Sequence, residues 1–348
     1  MFYIHSTYCI SAQNNLLEPS LENIIECKEN KLSAIEPTYK NIPLPILRRM
    51  GKAVRIGVGA FLKLLEDQAR YDGIIVGTAN GGLEDCIKFL DQIMEYDEGT
   101  LTPTNFVQST ANAIASQVAL LSRTKGYNIT HVHRGHAFEN AALDAAMRIK
   151  ENPSHTYLLG GIEEISSYNY NINYLGGWYK KEPASNKSLY ERTSSGSIAG
   201  EGAAAFKVSG EQNNAIAYLH ALQTIHGDNR NHIKAILEAF LTKYAPARGK
   251  IDLLLSGEDG DTRMLPYYLN TEDVLGVDVP IARFKHLSGE FETATAVAMH
   301  IACQILLDQK LPEHMLKTGN IKHPIKNILI YNTTKGYQHS LMLLTKVN

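Results

Sequence analysis

Residues 130 to 136, T-H-V-H-R-G-H, put three imidazoles within six positions, at His131, His133 and His136. An H-x-H-x-x-H pattern can offer nitrogens to a divalent metal such as zinc. It can also supply a general base, and His136, one step past the glycine, is the candidate. A strand, a tight turn at Gly135 and an Ala-rich helix form a common frame for a catalytic nucleophile. Yet this turn holds no Ser, Cys or Thr. A second group is acidic: Glu258, Asp259 and Asp261 in G-E-D-G-D, and Glu290 further on. Such carboxylates can do acid–base work or hold a cation, or they can simply solvate a turn. A third is basic: Arg48, Arg49, Lys52 and Arg55, which fit either a docking face or an ordinary solvated one.

The elements that would position these groups alternate along the chain. Segments 72–78, 156–165, 202–208, 251–257 and 326–332 are short β-branched runs ending near glycine and read as buried strands, with 156–165 breaking at its double glycine. Residues 46–67 carry apolar positions at Leu47, Met50, Val54, Val58, Leu62 and Leu65, the spacing of an amphipathic helix with the basic residues off the stripe. A second amphipathic helix is expected at 231–244. The segment 293–309 is apolar nearly all round, so it should be buried. Residues 166–199, rich in Ser, Asn, Tyr and Gly, read as the longest irregular stretch. The alternation predicts an α/β fold.

At 348 residues, with 34 basic and 36 acidic side chains, the chain is large enough for two similar units and has no overall drive toward nucleic acid. No apolar run of about 18 residues suggests a membrane span, and no signal peptide is read at the N-terminus. Cys9, Cys27, Cys86 and Cys303 form no C-x-x-C pair, which fits free thiols in the cytoplasm. One internal echo adds to this. Segments 134–147 and 288–302 each place a small residue at a turn, then Glu, then an Ala-rich helix, and each follows a strand. That hints at a duplicated fold whose halves meet near residue 209.

Taken in order, these segments resemble the β-ketoacyl synthases, the condensing enzymes of the thiolase superfamily. L-R-R-M-G-K-A-V-R is similar to their basic helix. D-G-I-I-V-G-T-A-N-G-G is similar to their G-T-x-x-G-G strand and turn, and L-L-G-G-I-E-E to their G-G-x-E strand. A-G-E-G-A-A-A-F closes the first half as their G-E-G-A does. The resemblance implies a five-layer αβαβα thiolase-like fold of two pseudo-symmetric halves with mixed sheets, 1–208 and 209–348. It implies no cofactor.

In that family a Cys at the strand-to-helix turn takes the acyl group, and two histidines serve decarboxylation. Laid on this chain, the Cys position falls on Gly135 and the two His positions on Gly257 and Glu290. Lys285 matches the family lysine, and the Gly336–Tyr337 pair is similar to part of the C-terminal glycine-rich loop. The scaffold is kept and the catalytic side chains are absent. The resemblance therefore implies a chain-length-factor-like subunit without condensing activity of its own. Its partner would be an active ketosynthase, or a second copy of itself. The basic helix face would dock an acyl carrier protein, and the strand bearing His131 and His133 would lie at the dimer interface, where the histidines pack and hydrogen-bond. Two alternatives stand beside it: an acyltransferase using His136 or Glu290 as substitutes, and a stand-alone acyl-binding protein.

Overall fold

The β-branched runs form strands that are covered on both faces, so they are apolar throughout rather than alternating. The computed structural model describes residues 1–347 except 41, 66–69, 192, 249 and 322–323. Among these residues the strands are β1 (Phe2–Ile10), β2 (Lys31–Leu32), β3 (Gly73–Gly77), β4 (Tyr127–His131), β5 (Thr156–Glu163), β6 (Ala199–Gly200), β7 (Gly202–Ser209), β8 (Ala217–His226), β9 (Leu253–Ser256), β10 (Ile281–Arg283), β11 (Leu316–Thr318), β12 (Asn327–Thr334) and β13 (Gln338–Lys346). The α-helices are α1 (Leu44–Leu47), α2 (Lys52–Leu62), α3 (Leu83–Glu95), α4 (Pro103–Gln108), α5 (Ala113–Ser122), α6 (Ala137–Glu151), α7 (Ser167–Leu175), α8 (Arg230–Arg248), α9 (Leu265–Leu275), α10 (Lys285–Ser288) and α11 (Ala294–Asp308).

Eleven strands hydrogen-bond in the order β11-β10-β9-β12-β13-β8-β1-β7-β5-β3-β4. One local plan occurs twice in that order. β3 lies parallel to β4 and β5, β5 is antiparallel to β7, and β7 is antiparallel to β1. Likewise β9 lies parallel to β10 and β12, β12 is antiparallel to β13, and β13 is antiparallel to β8. The two sets meet where Phe2, Tyr3 and Ile4 pair with Leu219, Tyr218 and Ala217. α2 and α5 cover the outer side of the first set through Val54, Val58, Phe61 and Ile114. α6 and α11 fill the middle, with Phe138, Ala142, Met299 and Ala302 packed in one core with strands of both sets. α8 and α9 close the far side with Ile233, Leu237 and Tyr268. This is the five-layer α/β arrangement expected from the sequence.

Three expectations need correction. β5 does not break at its double glycine but runs through Gly160 and Gly161 to Glu163. A Cβ on Gly161 would stand 2.6 Å from Ala296 Cβ and 2.9 Å from Phe138 Cδ2, so the missing side chain lets both middle helices lie against the strand. The helix expected over 46–67 is broken between Leu47 and Lys52, and its Glu66 and Asp67 lie outside the described residues. Gly51 caps α2 in extended backbone, against the Asp85 carboxylate, and the helical spacing continues across the break without a continuous helix. The stretch 166–199, of which Arg192 is outside the described residues, contains α7. Ser166 caps α7 by accepting from the Asn169 N–H at 3.1 Å, but S-Y-N-Y-N-I-N-Y-L has no apolar period to betray a helix.

Gly161→Ala should destabilise the fold by about 1–3 kcal/mol through overpacking. Adding Ala296→Gly should recover much of that loss, as read from urea-unfolding midpoints.

Candidate active site

The parallel strands β3, β4 and β5 end side by side, and α6 begins just beyond β4. Gly77 at the end of β3 makes this possible: a Cβ there would lie 2.5 Å from the Ala137 carbonyl carbon, so only a glycine lets the start of α6 come so close. The turn between β4 and α6 is tight. Arg134 adopts left-handed backbone at φ 49°, a conformation costing a non-glycine residue roughly 1–2 kcal/mol. From the other set of strands the β12–β13 hairpin reaches over this turn. Its tip closes with Tyr337 N–H donating to Thr334 O at 3.2 Å, and Lys335 and Gly336 take φ 56° and 72°, the backbone of a tight two-residue hairpin turn.

The hairpin grips the elbow at several points. Gly135 N–H donates to Gln338 Oε1 at 2.9 Å, and Gln338 Nε2 donates to His133 O at 3.3 Å. His136 Nε2 donates to the His339 carbonyl at 3.0 Å. His339 itself is held by Tyr331 at Nδ1 and by the Gly227 carbonyl at Nε2. An N–H at such an elbow is the kind of donor that stabilises an oxyanion, and here a protein side chain already takes it.

The space above Gly135 is occupied. A Cβ there would stand 2.5 Å from Thr334 Cβ and nearer still to its hydroxyl. The same holds at Gly257, where a Cβ would lie 3.0 Å from Asn332 Cγ and nearer still to its amide oxygen. Thr334 and Asn332 both belong to β12, both are buried, and neither side-chain oxygen has a hydrogen-bond partner among the described residues. Glu290 accepts an ion pair from the fully buried Lys285 ammonium.

The acidic residues are not a solvated turn: Glu258, Asp259 and Asp261 are all buried. Burial removes them from water, so each needs a partner. Glu258 takes Arg283 at 3.0 Å and Lys317 at 2.6 Å, and Asp261 takes Arg263 at 3.0 Å. The Asp259 carboxylate accepts the Asp261 N–H at 3.0 Å and pairs with no cation among the described residues, and burial together with the nearby Glu290 charge pushes it up to about 8. Burial and the Glu292 charge do the same to Glu163, which accepts from Thr78 Oγ1 at 3.0 Å.

The three histidines go to three separate partners. His131 Nε2 meets Asp144 at 2.9 Å, His133 Nδ1 meets Asn140 at 2.8 Å, and His136 is on the hairpin. β4 ends at His131, so His133 lies past the strand. Among the described residues no group of His, Cys, Asp and Glu is arranged to hold a metal ion. The basic quartet is divided as well. Arg48 and Arg49 are exposed between α1 and α2, whereas Lys52 pairs with Glu201 at 2.6 Å and Arg55 with Glu36 at 2.8 Å.

Beside the elbow opens a cleft of about 840 Å³, bounded among others by Asn80, His133, Asn173, Glu292 and Lys335. Thr334, Asn332, Glu292 and Lys335 were not singled out in the sequence. The first two carry no local signal, since their contacts with Gly135 and Gly257 join segments far apart in the chain.

Residues 25–173 match the family described as "Beta-ketoacyl synthase, N-terminal domain". Among curated proteins none matches the sequence. Among solved structures the chain is similar to the ishigamide ketosynthase/chain length factor, with TM-score 0.77 at 13% identity, covering 100% of this chain and 99% of that one. It is similar to a ketosynthase in complex with its chain length factor from Xenorhabdus doucetiae, with TM-score 0.73 at 15% identity, covering 99% and 98%. A type II polyketide synthase acyl-carrier protein in complex with its ketosynthase bound to the hexaketide gives TM-score 0.77 at 14% identity, covering 99% of each chain. Residues 25–173 thus resemble a β-ketoacyl synthase N-terminal domain, and the chain as a whole shares the fold of these ketosynthase structures.

Gly135→Cys should cost about 1–3 kcal/mol by collision with Thr334. Because the Thr334 Cβ is itself in the way, Thr334→Ala should not relieve it and Thr334→Gly should; thermal melts of the two double variants decide. A second expectation concerns pH. Burial pushes the His136 imidazole down from its ordinary 6.5 to about 4. The unfolded chain therefore takes up that proton first as the pH falls. The stability tied to neutral His136 is whole above about 6.5 and is lost as the pH drops toward 4. His136→Asn, which keeps an N–H for the His339 carbonyl, should flatten that part of the slope, as read from urea midpoints at neutral and mildly acid pH.

Proposed function

We propose that this chain is a chain-length-factor-like subunit that does not condense by itself, pairs with an active ketosynthase in the cytoplasm, and shapes the pocket in which the acyl chain grows. Thr334 carries the proposal. Its side chain fills the space a nucleophile on residue 135 would need. Asn332 over Gly257 supports the same reading from an independent position, and the Lys285–Glu290 pair leaves an anion where an enolate would form. The substitutes considered from sequence are engaged elsewhere: His136 donates to a backbone carbonyl and Glu290 holds Lys285.

Pairing follows from the sheet edge. β4 ends the order of strands with one side unpaired, and an open edge invites another strand. Exposed apolar side chains gather on neighbouring elements, with Leu120 on α5, Val132 just past β4, Met147 on α6, and Phe106 and Val107 on α4. An apolar surface of that kind calls for a cover. We assign the cover to an active ketosynthase, in keeping with the ketosynthase and chain length factor that occur together in the similar structures. In this proposal the chain divides near residue 209 into halves 1–208 and 209–348. Arg48 and Arg49 are the pair free to meet an acidic carrier protein. His131 and His133 lie at the interface. No described helix is long and apolar enough to cross a membrane.

Sedimentation of the chain with an active ketosynthase from the same gene neighbourhood should give a one-to-one complex. The chain alone should neither condense acyl and malonyl carrier proteins nor decarboxylate the latter. A monomer that ignores the ketosynthase would defeat the subunit reading and leave acyl binding in the cleft; condensation by the lone chain would defeat both.

A further inference from the structure

One wall of the cleft is held far less firmly than the others. α7 borders the cleft through Asn169, Ile172 and Asn173. Of its 9 residues only Asn173 is buried, while Ile172 and Leu175 are 67% and 80% exposed. No side chain of α7 joins a hydrophobic core, and no other described helix or strand packs along it. Its ring contacts stay close in the chain: Tyr170 stacks on Tyr174 and on Tyr179. An element with so little buried apolar contact belongs to the least stable part of a fold.

The two ends of α7 differ from its middle. Ser166 is buried and caps the first turn. Gly176 and Gly177 follow the last turn, and Gly177 takes φ 75° with nothing within 4 Å of where a Cβ would stand. That joint is uncrowded, whereas a Cβ on Gly82, Gly196 or Gly260, also at positive φ, would meet backbone. On the cleft side α7 is fastened at one point among the described residues. Lys335, at the tip of the β12–β13 hairpin, donates from Nζ to Asn173 Oδ1 at 2.8 Å. The same ammonium lies 5.2 Å from the Trp178 ring centroid, just past the joint. On the outer side Tyr168 O–H donates to Asp91 at 3.5 Å, a long and exposed bond, and the Lys31 ammonium lies 3.9 Å over the Tyr170 ring.

We propose that α7 is a lid on the cleft, turning about Ser166 and the Gly176–Gly177 joint, and that the bond from Lys335 to Asn173 is the latch that holds it shut. Opening widens the entrance on the side of Ile172. It leaves the hydrogen bonds within the helix whole and disturbs no core. The latch sits on the same hairpin that stands Thr334 over Gly135, so the elbow and the lid share one support. Loss of a hydrogen bond from a charged donor shifts an open–closed equilibrium by about tenfold. The lid governs entry to the cleft and does not rest on pairing with a ketosynthase, which sedimentation tests.

Cys86, partly exposed on α3, lines the same cleft, so its alkylation reports entry. The whole chain is treated in parallel with iodoacetamide, which is small, and with a pyrene maleimide, which is bulky. Each rate is taken relative to that of a free cysteine peptide. Peptide mass locates the label, since Cys9 and Cys27 are also partly exposed. In the wild-type chain the bulky reagent should be held back relative to the small one. Lys335→Met and Asn173→Ala should each speed the bulky reagent about tenfold and leave iodoacetamide unchanged. The double variant should gain nothing further, because both changes remove one bond. An unhindered bulky reagent in the wild-type chain, an unchanged bulky rate in either variant, a further gain in the double variant, or a parallel rise for both reagents, the mark of local unfolding, would each overturn the proposal.

Discussion

The packing of the β12–β13 hairpin onto the start of α6 is the contact around which the site is built. It joins the two sets of strands at one point: Thr334 stands over Gly135, Gln338 takes the Gly135 N–H, and His136 reaches the His339 carbonyl. Neither partner can change alone. A side chain on residue 135 has no room while Thr334 stays, and loss of Thr334 would leave an unfilled volume against a glycine. Asn332 repeats the arrangement two residues earlier on the same strand, over Gly257. One strand thus stands over both glycines.

Charge follows from that packing. Beside it the interior is organised by ion pairs: Lys285 with Glu290, Arg283 and Lys317 with Glu258, Arg263 with Asp261. A buried pair holds only if its remaining donors and acceptors are met. Asp259, Glu163 and Glu292, which form no ion pair with a described residue, line the cleft or the small pockets beside it.

The sequence by itself determined the layered α/β scaffold. Continuous apolar strands, two Ala-rich helices after matching turns and the order of the glycine-containing segments all follow from local pattern, because a strand covered on both faces and a helix buried all round each leave a direct trace in residue type. The sequence also names glycine at 135 and 257 and glutamate at 290, each beside a turn. Pattern failed where local and tertiary demands diverge. The apolar period across 47–65 continues through a break at Gly51, β5 passes through two glycines because helices press on it, and α7 forms on a capping serine with no apolar stripe. Only the tertiary structure decided what stands in the vacated places. Thr334 and Gly135 are about two hundred residues apart in the chain, and no local propensity links them. Their contact exists because two separate strand sets close on a common middle layer, and close packing then lets one side chain, and not two, occupy that space.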